Sequence, residues 1–149
     1  MTPEEQKNLH RILETLEKAA YMLQHSYTAC KNLGHKKKYS LSELDLFEAL
    51  TSRFARLNDI IIRKMFRTID RLDIEPEGTV RDSINRAEKK GLIDRGDLFG
   101  QIREIRNIIA HEYLLEDMSQ LYQDVLAGTP ILIDVVERVK QYCQRYKNM

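Results

Sequence analysis

Apolar residues recur at intervals of three and four along nearly the whole chain, and nowhere do they alternate with polar ones for long. That is the period of a helix face and not of a half-buried strand. Only six glycines and three prolines interrupt the 149 residues. The spacing therefore predicts an all-α protein, an up-and-down helical bundle of four main helices plus one or two short ones. A chain of this length suits one core, so residues 1–149 are expected to form a single domain.

The ends of the helices are spelled in capping residues. Thr2, Pro3 and Glu5 read as N-cap, N1 and N3 of a first helix whose apolar series runs from Leu9 through Leu16 and Leu23 towards Leu33, with Gly34 as its C-cap. After the lysine-rich loop "GHKKKYS", Ser40 with Glu43, or Ser42 with Asp45, caps a second long helix reaching Leu72. Its polar flank holds Arg53, Arg56, Arg63, Lys64, Arg67 and Arg71, which either line a nucleic-acid groove or lay their aliphatic stems over the helix side. Pro76 and Gly78 break the pattern, "TVRDSINRAEKKG" reads as a short helix ended by Gly91, and a further helix begins near Asp97. "LLEDMSQLYQDVL" reads as a short helix or turn-rich connection, after which Thr129 and Pro130 start a last helix.

Composition removes several function classes. The 24 basic and 23 acidic side chains leave a formal charge of +1, which excludes a uniformly basic nucleic-acid coat but not a local patch. Cys30 and Cys143 lie far apart, outside any close-spaced ligand pattern, and read as buried thiols of a cytoplasmic protein. His10, His25 and His35 lack partners at ligand spacing, so no metal and no cofactor is expected. No apolar run approaches the roughly 20 residues of a membrane span, and the polar start "MTPEEQKNLH" carries no leader pattern, so a soluble chain with no membrane role is expected. Six of the tyrosines, Tyr21, Tyr27, Tyr39, Tyr122, Tyr142 and Tyr146, sit at helical spacings that suit packing better than base stacking.

The densest polar chemistry is "RNIIAHEY", residues 106 to 113. On a wheel of about 100° per residue, Leu98, Ile102, Ile105, Ile108 and Ile109 share an arc of about 120°, expected to face the core. Arg103, Arg106, Asn107, Ala110, His111 and Tyr113 fall on the opposite arc, with Phe99, Ala110 and Leu114 giving it an apolar centre suited to another surface, such as a second copy of the chain. An arginine offers a fixed fork of donors to phosphate oxygens, and an imidazole exchanges protons near neutrality. Metal-free cleavage of RNA needs both: His111 to take the proton of a ribose 2′-hydroxyl, Arg106 to neutralise the charge growing on the phosphoryl oxygens. Asn107, one turn before His111, could orient phosphate or imidazole, and Tyr113 could stack a base.

The Arg-x4-His-x-Tyr pattern, with Asn directly after Arg, resembles the signature of the HepT toxins in the HEPN superfamily, and the resemblance extends through "RDSINRAEKKGLID" and "LFGQIREIRNIIAHEYL". It implies a HEPN-like bundle that pairs as a homodimer through its motif helices, with a metal-independent endoribonuclease site in the shared cleft. Arg106 and His111 would be the catalytic pair, supported by Asn107 and Arg103. The partner would be an MNT-type nucleotidyltransferase antitoxin, and Tyr113 matches the tyrosine that such an enzyme AMPylates. The segment "FGQIRE" departs from the proline- and tryptophan-rich entry expected of many HepT chains. A related branch acts as a non-catalytic, substrate-binding companion of a nucleotidyltransferase, and both readings stay open on the sequence.

Overall fold

In the computed structural model of the protein, which describes residues 1–111 and 118–148 and only the backbone of His111 and Asn148, the described residues form helices and no strand. Helix α1 spans Pro3–Cys30, α2 Leu41–Asp59, α3 Arg67–Leu72, α4 Val80–Lys89, α5 Gly96–His111 and α6 Ser119–Cys143; a π-helical segment, Ile60–Phe66, joins α2 to α3, and a 3₁₀ turn, Gln144–Asn148, follows α6. Taking α2 to α3 as one rod, four long helices and the short α4 make the expected all-α bundle.

Local chemistry sets most helix starts. Thr2 accepts from the Glu5 amide at 3.1 Å while the Glu5 carboxylate takes the Thr2 amide, so both orphan donors of the first turn are used. Ser40 with Glu43, and Thr79 with Asp82, repeat the device at α2 and α4. Gly91, at φ +76°, ends α4 in the left-handed region where a residue without Cβ carries no steric cost. The stop after α3 has the same hydrogen-bond pattern, Ile74 to Arg71 and Glu75 to Asp70, but its left-handed residue is Ile74, at φ 59°.

Packing follows the apolar stripes. α1 lies against α2 and α6, α2 against α5 and α6, and α4 against α5 and the π segment. Leu16, Leu23, Phe47, Phe54, Leu57, Ile61, Met65 and Ile69 are fully enclosed between them. Each such side chain contributes roughly 1.5–3 kcal/mol by leaving water. Phe47 stacks on Tyr122 with ring centres 4.2 Å apart, and Tyr39 meets both edge-on. Tyr142 and Tyr146 donate to Asp73, which Lys90 pairs at 3.0 Å, locking the C-terminal turn to the end of α3. Burial alone would raise the Asp73 carboxyl; the two hydroxyls and the ammonium overcome it and hold that carboxyl below the usual aspartate range. These tyrosines pack as their spacing suggests, whereas Tyr21 is exposed.

Three expectations need correction. α1 stops at Cys30, short of Leu33, because the chain turns back onto α6: the Gly34 carbonyl accepts from the Tyr39 hydroxyl at 2.9 Å and from the Gln123 amide at 3.3 Å. Thr129 and Pro130 do not start a helix but lie inside α6. Pro130 brings no N–H to the ladder, a defect of about 3 kcal/mol. One continuous buried stripe outweighs it, with Leu121, Tyr122 and Val125 before the proline and Leu132, Val135, Val136 and Val139 after it. Gly128 lets α6 approach so closely that a Cβ there would lie 3.1 Å from the Phe54 ring. The third correction concerns the face of α5. Phe99 and Ile102 are buried, Ile105 and Ile109 are half-buried, and Ile108 is 41% exposed.

Candidate functional site

The buried face of α5 is turned by roughly a quarter turn from the one that isoleucine spacing predicts. Phe99 decides it. Its ring, larger than any isoleucine on the helix, sits 5.8 Å from Phe66, and Ile102 reaches the close approach at Gly128. The rotation carries Arg106, placed by the spacing on the outward arc, to the seam between α5 and α2.

There Arg106 meets Asp59, the last residue of α2, in a two-pronged ion pair: Nε donates to Oδ1 and Nη2 to Oδ2, both at 2.8 Å. The Arg106 side chain is 23% exposed and that of Asp59 35%. The bonds to Asp59 raise the guanidinium further above its ordinary range, so its charge is permanent. Among the described residues two of the five guanidinium donors are used, which leaves three. The fork is thus fixed in plane and direction before anything binds, which is the preorganisation that recognition of a phosphoryl group rewards.

A cleft of about 70 Å3 opens beside this pair, walled by Asn58, Asp59, Ile62 and Arg63 from the α2 rod, Val80 from α4, and Arg103, Arg106 and Asn107 from α5. It has room for about two water molecules or one small oxyanion. Three arginines and one aspartate give it a positive balance. Asn58 is wholly buried, yet among the described residues neither its Oδ1 nor its Nδ2 has a hydrogen-bond partner. An unpaired buried amide costs about 1–3 kcal/mol, so Asn58 is a local weak point in the packing behind the cleft wall.

The backbone beneath the cleft is unusual. A seven-residue π-helical run begins directly after Asp59. Such wide turns are rare and frequent at functional sites. Here the run buries Ile60, Ile61 and Ile62 in succession, packing towards α1 and α4, and presents Arg63 to solvent.

Of the residues expected to act, Arg103, Arg106 and Asn107 come together in this cleft. His111 is the last residue of α5, and its side chain lies outside the described residues, as do Tyr113 and Leu114. Asn58 and Asp59 escaped the sequence reading. Asn58 stands four residues after Phe54 and four before Ile62, a core register where a carboxamide is out of place.

Elsewhere, Arg53 is structural, its Nη1 donating to Ser26 Oγ at 2.7 Å across to α1. Cys30 and Cys143 are free and buried, and burial pushes the Cys143 thiol up to about 12. His10, His25 and His35 are exposed. No helix among the described residues is long and apolar enough to cross a membrane. Compared with protein-family models and with curated proteins, the chain finds no match.

Proposed function

We propose that the protein is a metal-independent endoribonuclease of the HEPN/MNT toxin–antitoxin type, acting as a homodimer. The observation that supports this reading is the preset guanidinium of Arg106, with three donors unused among the described residues, opening on a cleft of positive balance. That arrangement suits a phosphodiester.

In this reading the imidazole of neutral His111 withdraws the 2′-hydroxyl proton. The 2′-oxygen then bonds to phosphorus, the bond to the 5′-oxygen breaks, and the departing oxygen takes a proton from water. Arg106, with Arg103 and Asn107 beside it, balances the charge on the non-bridging oxygens. Positions 106 and 111 are about 140° apart around an α-helix. A single helix therefore does not aim both at one phosphorus, and a two-fold partner docked on α5, where Ile108 is exposed, supplies the missing convergence. An MNT-type nucleotidyltransferase serves as antitoxin by transferring AMP from ATP to the Tyr113 hydroxyl with loss of pyrophosphate, adding bulk and negative charge two residues after His111 in the chain.

A single 2′-deoxy substitution tests the chemistry. The protein, in excess chelator, should cut an RNA oligonucleotide to leave a 2′,3′-cyclic phosphate, and the same oligonucleotide with one deoxyribose at the cut position should resist there. Cleavage that tolerates the deoxyribose, or that leaves a 3′-hydroxyl, overturns the mechanism.

One observation favours a second reading. The Arg106–Asp59 pair is also the bond a purely structural arginine makes between two helices. In that case the chain is a non-catalytic companion that docks a nucleotidyltransferase and presents its substrate. It would then bind that enzyme and leave RNA intact.

A further inference from the structure

A second, larger cleft adjoins the first. It holds about 500 Å3 and is lined by Arg63, Arg67 and Arg71 on one side and Glu77 and Arg86 on the other. Arg63 belongs to both clefts. Spaced four apart along the π segment and α3, the three arginines form one row, because residues four apart are neighbours on a helix face. All three are exposed, and none of their side chains makes an ion pair or hydrogen bond among the described residues.

The acids of this cleft are mostly spent. Asp70 takes Arg86 at 3.4 Å and Lys90 at 3.3 Å, and Glu75 takes the same two cations at 3.6 and 3.5 Å. That leaves Glu77 as the lining acid without such a pair, facing three unpaired guanidinium groups. Steps of four residues advance about 6 Å along a helix axis. A line of cations at that interval matches successive phosphates of one strand, whereas a duplex would present two backbones across a groove.

We propose that the Arg63–Arg67–Arg71 row is a track for the sugar–phosphate backbone of single-stranded RNA, delivering the strand to the cleft of Arg106. This rests on the RNA-cleaving reading above and adds the path of the substrate. Arg63 is the hinge of the path, touching the strand as it passes from the wide cleft to the narrow one.

The test uses binding, so that it stands apart from catalysis. The probe is a fluorescent single-stranded RNA, fully 2′-O-methylated and therefore not cleavable, titrated at several salt concentrations. Each arginine–phosphate pairing removed should lower the slope of log affinity against log salt by about 0.7, so Arg63→Gln, Arg67→Gln and Arg71→Gln combined should lower it by about 2 and weaken binding at least tenfold at low salt. Arg56→Gln, an exposed arginine of α2 outside both clefts, should change neither. Helical content by circular dichroism checks that each variant folds, and the three single variants, each about a third of the effect, replace the triple if it does not. Wild-type affinity with an unchanged slope in the triple variant overturns the track while leaving RNA cleavage at Arg106 standing. Equal affinity for a duplex of the same sequence, or preference for polyglutamate over the oligonucleotide, overturns it as well.

Discussion

Replacing Asn58 by leucine should make the protein more stable. Asn58 is wholly buried with both polar atoms of its amide unpaired. Leucine has a similar outline, so the substitution removes the unpaired amide, which costs about 1–3 kcal/mol. It also adds apolar contact, of roughly 1 kcal/mol or more. Against this stands a shape mismatch in a tight wall, typically about 1–3 kcal/mol. The net expectation is a gain of about 1–2 kcal/mol. Urea unfolding at constant m-value reads it as a higher midpoint. Destabilisation by more than about 1 kcal/mol would mean that the amide is already satisfied in the folded protein, and the packing reasoning would fail.

Ile74 occupies a left-handed backbone position while 90% exposed. Ile74→Gly relieves about 1–2 kcal/mol of steric cost against a smaller entropic loss, so thermal and urea midpoints should rise by the equivalent of about 0.5–1 kcal/mol. A fall in stability would show that the isoleucine packs in solution. Asp73 provides a pH test. Its folded carboxyl titrates lower than the free side chain, so its stabilisation is full above the unfolded value of about 3.9 and drains away as pH falls through and below it. Asp73→Asn should cost about 2 kcal/mol at neutral pH and flatten the acid limb of the stability curve, read by urea midpoints between pH 6 and pH 2; an unchanged limb contradicts the Tyr142–Tyr146–Lys90 arrangement.

What the sequence made legible was the local grammar. Capping boxes at Thr2 and Ser40, the glycine stop at Gly91 and three-four spacing depend on residues within one or two turns of each other, and the helices appear where those signals lie. What it hid depends on distant partners. The turn of α5 was settled by Phe99 finding Phe66, a contact that four isoleucines outvoted on a wheel. Pro130 looked like a boundary because its cost is local, while the stripe that overrides it spans the whole of α6. The π segment left no mark in the spacing, since residues four apart stay on one face through it. In the candidate site, Arg106, Asn107 and Arg103 were legible from their types and spacing. Asp59 and Asn58 were not, because an acid 47 positions before Arg106 becomes its partner only through the packing of α2 on α5.

The claim at the centre is that Arg106 and His111 cut RNA without a metal. Single-turnover cleavage of an RNA oligonucleotide in excess chelator, measured for the wild-type protein and for Arg106→Ala and His111→Ala at matched helical content, examines it most directly. The account predicts cleavage by the wild type and a rate at least about a hundredfold lower in each variant. An inert wild type, or a His111→Ala protein that cuts as fast as its parent, would contradict it.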